Sequence, residues 1–411
     1  MIRLKMKGKG FALSPYKNFI SLIDCLMKLV SGGSVAQNGS VPHTSWLTSL
    51  TGDVAGLVLN KKWESSLLGP IEVWPPALLS TLSVCFGSPF PIAIYWGPEF
   101  VLLYNDGYRP IAADKHPLCF GLSGKEVWAE IWESIQDDFA DVWDRGESVR
   151  RPDALLLMRR RGFVEECYFD YTLSPIRNDQ GQVAGIFNAV LETTASVLRT
   201  RRSKLVSDLS QAGQSAETVD DLLKTFETVL AEHRLDAPFA LVCTNVPAGR
   251  SNGWAVNATS GVATGESLQS LWTLIEQTEL QGADRSLASL HLPEGLSFVA
   301  PDGPWPERVG IAMVAKLETG SAAPRDTYLV IGISPRLDLN DDYRQLTESI
   351  ATALSRCWQK IAHEELKARS IVALRDREER LRFALQAPGR SVKIPRGWSL
   401  QTPPSDDRRL S

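Results

Sequence analysis

The sequence predicts an α+β protein of two tandem domains, each an antiparallel sheet covered by helices. At 411 residues the chain is too long for one ordinary domain. Strand-like stretches enclose a helical stretch, and this arrangement occurs twice along the chain. Amphipathic helices follow each of these regions, so that they join the two domains and continue beyond the second one.

The composition is that of a globular protein, with 44% hydrophobic and 22% charged residues. The net charge of -4 gives no reason to expect a nucleic-acid partner, since such proteins usually have a basic face. The six cysteines are scattered without a C-x-x-C pair, which is typical of a reducing compartment and unlike a disulfide framework or a zinc site. No apolar run approaches the roughly 20 residues of a membrane-spanning helix. We therefore expect a cytoplasmic protein with no integral membrane segment.

Changes in composition divide the chain into six segments. In order, we expect a basic leader and flexible linker (1–56), a first domain (57–195), a linker helix (196–212), a second domain (213–362), an extended amphipathic helix (363–387) and a disordered tail (388–411). The leader has only basic charges before Phe19. Such a leader is typical of a targeting or membrane-surface segment. The alternative is a flexible leader with one short amphipathic helix.

The first domain opens with a predicted hairpin. Pro91–Trp96 and Phe100–Asn105 are apolar runs on either side of a Gly-Pro turn, so each predicts a strand. The letters NDG that follow are residue types that cap helices and tolerate unusual dihedral angles. They therefore predict a turn at the end of the hairpin, directly before Tyr108.

Helices and two further strands complete this domain. "SGKEVWAEIWESIQDDFADVWDRG" has apolar residues at helical spacing, so it predicts one or two amphipathic helices with a capping box at Ser123 and Glu126. "GFVEECYFDYTLSPIR" alternates with period two, which predicts a strand. A turn at Asn178 to Gly181 and a returning strand follow.

The second domain repeats this mixture after the charged linker helix. A helix is expected from Ala216 to Arg234 and another over "SLQSLWTLIEQT". The predicted strands are "PFALVCTN", "GWAVNATS", "ERVGIAMVAKLE" and "DTYLVIGIS". A closing helix begins at Asp341, capped by Asn340. Its apolar stripe continues beyond Ala362 but is interrupted by "HEELKARS".

Long ordered motifs resemble the PAS–GAF sensory region of bacterial and fungal sensor histidine kinases. They include "WESSLLGPIEVWPPALLSTLSVCFGSPFPIAIYWGPEFVLLYNDGYRPI", "GFVEECYFDYTLSPIRNDQGQVAGIFNAVLETT" and "GISPRLDLNDDYRQL". The resemblance spans about Trp63 to Ala387. It implies a PAS domain, a GAF domain and a signal-transduction role in a two-component phosphorelay. The implied partners are a second copy or a full-length sensor kinase, and a small-molecule ligand is a further candidate.

The resemblance also suggests a pocket and a relay. The candidate ligand-binding residues are Tyr95, Tyr104, Tyr108, Trp128, Trp132, Phe169 and Asn188, with core packing as the alternative for each. In PAS domains an Asp-x-Thr triplet couples the last strand to the outgoing helix. Glu192, Thr193 and Thr194 take that place here, with plain N-capping as the alternative.

Kinase machinery is missing from the sequence. "HEELKA" at His363 begins like the H-E-x-x-x-P phospho-acceptor box but lacks its proline, and no ATP-binding domain follows. We therefore expect a chain truncated before the kinase core, with no catalytic residues, no metal ligands and no evident cofactor. Two alternatives stay open: a GAF-type redox enzyme of the methionine sulfoxide reductase kind, using Cys243 or Cys357, and a ligand-independent dimerisation scaffold.

Overall fold

A computed structural model describes residues 45–49, 51–245, 253–262, 267–277, 287–294, 303–320 and 326–386. The predicted basic leader and the predicted disordered tail lie outside these residues, apart from the last part of the leader. The chain divides into two compact units, one formed by residues 1–203 with 336–338 and the other by the remainder. Each unit contains a five-stranded antiparallel sheet with helices, so the predicted α+β fold class is confirmed.

The first sheet has the strand order β2-β1-β5-β4-β3. Its strands are β1 (Ile92–Trp96), β2 (Val101–Tyr104), β3 (Val149–Arg160), β4 (Phe163–Arg177) and β5 (Val183–Glu192). The predicted hairpin, the period-two strand and the returning strand are therefore confirmed. The edge strand β3 was not predicted.

Helices precede and interrupt this sheet. They are α1 (Asp53–Asn60), α2 (Pro76–Gly87), α3 (Arg109–Ala112), α4 (Gly124–Val127) and α5 (Trp132–Ala140), the last continued by a π-helical turn. The predicted capping box is wrong, because the Ser123 hydroxyl donates to the Glu99 carbonyl (3.0 Å) instead of capping α4. The expected linker up to residue 56 is also too long, since Leu47 and Val54 are buried in the core of the first unit.

Asn105 explains why the hairpin ends where it does. Its buried Nδ2 donates to the carbonyl of Cys85 (3.0 Å) in the last turn of α2 and to those of Ser88 (2.9 Å) and Phe90 (2.7 Å) in the segment that leads to β1. Its Oδ1 accepts from the amide of Tyr108 (3.2 Å) and from the first amide of β1. The side chain thus satisfies backbone groups on both sides of the turn and fixes where the covering helices begin.

The second sheet has the strand order β7-β6-β10-β9-β8, which is the same order as the first when strands are numbered within each unit. Its strands are β6 (Ala240–Asn245), β7 (Trp254–Ser260), β8 (Leu287–His291), β9 (Ile311–Leu317) and β10 (Thr327–Gly332). The four predicted strands are confirmed, and β8 is additional. The helices α7 (Val219–Glu232) and α8 (Ser267–Glu276) belong to this unit.

Two long helices follow the sheets. Helix α6 (Thr194–Gln214) leaves the end of β5, and α9 (Asp341–Gln386) closes the second unit. The predicted cap is confirmed, since the Asn340 Oδ1 accepts from the amide of Tyr343 (3.0 Å). Helix α9 runs through the predicted extended helix as far as Gln386, and the described side chains beyond Ala362 are exposed. None of the described helices combines the length and apolar character that a membrane crossing would require.

Candidate functional site

The core of the first unit contains a cavity of about 40 Å³. It lies between the sheet and the helices that connect β2 to β3. All five strands except β2 contribute to its lining, as do α3 and α5. The lining residues are Tyr95, Tyr108, Ile111, Trp128, Ile131, Ile135, Phe139, Leu156, Met158, Phe169, Tyr171, Leu173, Asn188 and Val190.

Five of the seven candidate ligand-binding residues line this cavity, and two do not. Tyr95, Tyr108, Trp128, Phe169 and Asn188 are brought together there. The other two, which belong to the surrounding core, are Tyr104 and Trp132. The apolar lining on α5 and β3 was not anticipated, because nothing in the sequence indicates which core residues border an empty space.

The polar atoms of the cavity are incompletely paired. The hydroxyls of Tyr95 and Tyr108 are 3.5 Å apart, at the outer limit of a hydrogen bond. Trp128 Nε1 and Asn188 Oδ1 have no hydrogen-bond partner among the described residues, although both residues are more than nine-tenths buried. Both side chains nevertheless interact with the Tyr95 hydroxyl, whose pKa they lower, so neither lies far from a polar group of the cavity.

Among the described residues, no charged side chain lines the cavity. Burial raises the pKa of Tyr95 to about 12, although the neighbouring Tyr108, Trp128 and Asn188 side chains offset part of the effect. Burial likewise raises the pKa of Tyr108 well above its ordinary value. Both phenols are therefore neutral at physiological pH, and the cavity is an uncharged, largely aromatic space with a few polar atoms.

Tyr104 belongs to a separate polar cluster outside the cavity. Its hydroxyl is 2.9 Å from His116 Nδ1 and 3.3 Å from Cys119 Sγ. Burial raises the pKa of the Cys119 thiol and, together with Arg109, lowers the pKa of His116. Neutral forms are thus favoured in both side chains, which suits internal hydrogen bonding better than nucleophilic chemistry.

Trp132 is a packing residue next to the cavity. Its ring centroid lies 5.1 Å from that of Phe139 and 5.9 Å from that of Phe100. Such centroid distances are typical of favourable aromatic pairs in protein cores. Trp132 therefore supports the wall of the cavity from outside.

The candidate relay residues lie at the junction of β5 and α6. Glu192 accepts two hydrogen bonds from Arg160 on β3, whose guanidinium is also bonded to Glu165 (2.6 Å). Arg160 is only 2% exposed. Burial disfavours its charge, but the two carboxylates outweigh burial and raise its pKa. The junction is therefore a buried ion cluster, and no sequence pattern indicated its pairing across 32 residues.

The two threonines of the junction differ in their contacts. The hydroxyl of Thr194, the first residue of α6, donates to Glu192 Oε1 (3.0 Å) and accepts from the amide of Tyr168 (2.9 Å). The Thr193 hydroxyl is buried and has no hydrogen-bond partner among the described residues, so its side chain does not cap α6. Glu192 and Thr194 thus connect the ion cluster directly to the first turn of the helix.

A second ionic contact holds α6 to the sheet. Arg201 Nη1 on α6 donates to Glu166 Oε1 on β4 (2.6 Å), and the Tyr168 hydroxyl donates to the same oxygen (2.8 Å). Burial and the adjacent Glu166 raise the pKa of Tyr168 to about 12. The period-two pattern predicts Glu166 and Tyr168 on one face, but no sequence signal identified Arg201 as their partner.

The cysteines considered for redox chemistry are buried in the second unit. Cys243 is fully buried in β6, and burial strongly raises the pKa of its thiol. Burial also raises the pKa of Cys357 on α9. Both environments disfavour the reactive thiolate. Within the described ranges, no group of three or more His, Cys, Asp or Glu side chains is arranged to hold a metal ion.

Comparison with known proteins gives matches among solved structures only. No protein-family model matches the chain, and a search of curated proteins finds no match. A sensory box sensor histidine kinase from Vibrio cholerae is 15% identical, with 28% of this chain and 89% of that one covered and a TM-score of 0.21. A PAS domain from Colwellia psychrerythraea is 12% identical, with 29% and 98% covered and a TM-score of 0.23. The PAS domain of Bordetella pertussis BvgS is 19% identical, with 30% and 92% covered and a TM-score of 0.25.

Proposed function

We propose that the chain is a sensory module of the two-component histidine-kinase type. The first unit binds a small ligand in its cavity and relays occupancy to α6. The observation that carries this proposal is the continuity between the cavity and the ion cluster. Residues two apart on a strand share a face, so Met158 continues into Arg160 on β3 and Val190 continues into Glu192 on β5.

The pairing of β4 with β5 places a cavity residue directly beside a residue of the ion cluster. Phe169 on β4 lines the cavity and is the cross-strand neighbour of Glu192. A ligand that shifts Phe169 therefore acts on the carboxylate that is bonded to Arg160 and Thr194. The ligand changes the arrangement of α6 only to the extent that it binds one arrangement more tightly than the other.

A pair of neighbouring substitutions on β3 tests the ligand role. Leu156 faces the cavity, whereas Leu155 faces away from it and is 42% exposed. We expect co-purified or screened ligands to raise the melting temperature of the full chain. Leu156→Phe fills the cavity and abolishes this shift, whereas Leu155→Phe keeps it. A shift that survives in Leu156→Phe, or a screen in which no ligand stabilises the chain, contradicts the proposal.

A second candidate, a ligand-independent dimerisation scaffold, is favoured by the exposed end of α9. Ile371, Leu374 and Leu381 are 51%, 66% and 59% exposed, and their spacing is that of a heptad stripe. In the sensory proposal the same stripe pairs with a second copy or with a full-length sensor kinase. The scaffold differs in one respect, since its association would not respond to any small molecule.

Light scattering at tens of micromolar protein distinguishes a monomer from a dimer, and so tests whether the stripe on α9 pairs two chains. Ile371→Glu, inside the stripe, is expected to give monomers, whereas Val372→Glu, exposed but outside the stripe, leaves dimers intact. A wild-type monomer contradicts signalling through paired helices. Equal effects of the two substitutions contradict pairing through this stripe.

A further inference from the structure

The end of α9 beyond Ala362 carries charges within its apolar stripe. Residues 363–382 are all exposed, so none of the described residues covers this stretch of the helix. With Ile371 at position a of a heptad, positions a and d form a seam of six residues, which are Glu364, Lys367, Ile371, Leu374, Glu378 and Leu381. Half of the seam is therefore charged, and charges at such positions select how a second helix lies against the first.

A parallel pair of such helices brings like charges together. In a parallel two-stranded coiled coil, each seam residue faces the same residue of the other helix. Glu364, Lys367 and Glu378 would then each face a like charge. Position g also faces position e of the next heptad, which places Arg377 near Arg382 of the second copy. Like charges at these distances repel, so the parallel arrangement is disfavoured.

An antiparallel pair about the middle of the same seam brings opposite charges together. Position a of one helix now faces position d of the other, because the two chains run in opposite directions. Lys367 faces Glu378 of the second copy, and two-fold symmetry repeats this ion pair. Ile371 faces Leu374 of the second copy, also twice, so the apolar contacts lie between the two ion pairs.

We infer that the seam of α9 binds a second copy of this chain in antiparallel orientation, with Lys367 of each copy paired to Glu378 of the other. Charge complementarity identifies the occupant, because the seam complements its own reversed sequence. The remaining seam pair, Glu364 opposite Leu381, lies at the two ends of the contact, where the carboxylate stays in water. This inference rests on the proposed pairing through α9 and adds the orientation and register of the two helices.

Charge reversal on the full chain tests the orientation. In an antiparallel pair, Lys367→Glu places a like charge opposite Glu378 at two points in the dimer. We expect the dissociation constant, measured by sedimentation equilibrium at low salt, to rise about tenfold or more. Glu378→Lys should have the same effect, and the double variant Lys367→Glu/Glu378→Lys should restore the wild-type value. A double variant that stays weak overturns the inference.

A parallel pair gives a different result in the same experiment. There each single reversal only exchanges one contact between like charges for another, so the dissociation constant stays near the wild-type value. Glu379→Lys is the matched control, because Glu379 is exposed beside Glu378 but lies outside the seam. It makes the same change in net charge and should leave the dissociation constant unchanged. Circular dichroism and melting temperatures establish that each variant is folded.

Salt provides a second readout of the orientation. Screening weakens the attraction between Lys367 and Glu378 in an antiparallel pair, whereas in a parallel pair it weakens the repulsion between like charges. Added sodium chloride should therefore raise the dissociation constant of the wild type. It should have a smaller effect on Lys367→Gln/Glu378→Gln, which lacks both charges. A wild-type dimer that tightens as salt is added contradicts the antiparallel orientation.

Failure of the inference is distinguishable from failure of the proposed pairing. If Ile371→Glu gives monomers but the charge reversals change nothing, the orientation is overturned while pairing through α9 stands. If Glu379→Lys weakens the dimer as much as Glu378→Lys, net charge explains the effect and the orientation is again overturned. If the wild type is a monomer, both the inference and the proposed pairing are contradicted.

Discussion

The two units share a strand order but differ in whether a buried indole N–H has a hydrogen-bond acceptor. In the first unit, the Trp128 N–H borders a cavity and has no partner among the described residues. In the second, the Trp254 N–H donates to Glu276 (2.8 Å), and its ring stacks on Trp272 at 5.3 Å with an interplanar angle of 9°. The same sheet topology therefore accommodates a cavity in one unit and a closed aromatic contact in the other.

The difference comes from the segment that connects the second and third strands of each sheet. In the second unit, α8 supplies both Trp272 and Glu276, which are four residues apart and so lie on one helix face. That single helix both stacks on Trp254 and accepts its N–H. In the first unit, short separate helices cover the sheet, and none of their described side chains accepts from Trp128. The connecting segment, more than the strand order, determines whether a site exists.

The largest expected effect comes from the ion cluster at the end of the cavity. Arg160→Met leaves Glu165 and Glu192 without their buried counter-charge, so we expect a loss of about 3–5 kcal/mol in unfolding free energy. Arg161→Met is the matched control, because Arg161 is 54% exposed and its ion pairs should contribute less than about 1 kcal/mol. Denaturant titration measures both. Similar losses for the two variants would show that the cluster is not a special feature of the first unit.

A smaller effect is expected from removing each of the two indole N–H groups in turn. Trp128→Phe and Trp254→Phe remove the same volume, but among the described residues only Trp254 loses a hydrogen bond. We expect Trp254→Phe to lower the unfolding free energy by about 1 kcal/mol more than Trp128→Phe. Denaturant unfolding of both variants without ligand measures the difference. If Trp128→Phe costs as much or more, its N–H has a partner in solution and the contrast between the units is lost.

The smallest effect is a pH dependence that belongs to the first unit. Since burial holds the pKa of His116 below its ordinary 6.5, the folded state favours the neutral ring. The unfolded chain then takes up the proton first, so this contribution to stability is complete above about pH 7 and declines as the pH falls through 6.5 towards the lowered value. Relative to His116→Gln, the wild type should therefore lose stability on acidification, as measured by urea unfolding at stepped pH. A difference that stays constant or grows in the opposite direction contradicts the assignment.

Sequence patterns predicted the fold where the pattern is strong and local. Strand β4 alternates clearly before the Asn178 turn, β5 follows that turn as an apolar run, and β1 and β2 are apolar runs beside a Gly-Pro turn. Strand β3 was missed because it starts with charged residues and Pro152, which an edge strand tolerates, and a bulge at Asp153 breaks its alternation.

The candidate site was predictable only in part, because its contacts are long-range. Aromatic residues near the hairpin suggested a pocket, yet Tyr104 and Trp132 lie one packing layer outside it. The pairing of Arg160 with Glu192 depends on the order of β3, β4 and β5, which no local pattern encodes. Likewise, whether the Trp128 N–H finds an acceptor depends on the placement of short helices rather than on residue spacing.

Hydrogen exchange at the start of α6 shows whether the cavity and this helix are coupled. The amide of Thr193 bonds to the Tyr168 carbonyl (2.8 Å) and that of Val197 to the Thr193 carbonyl (3.0 Å), so both amides report on the junction. With a saturating ligand from the thermal-shift screen, we predict altered exchange at these two amides and unchanged exchange in β6 to β10. An occupied cavity with unchanged exchange at Thr193 and Val197 would contradict the coupling.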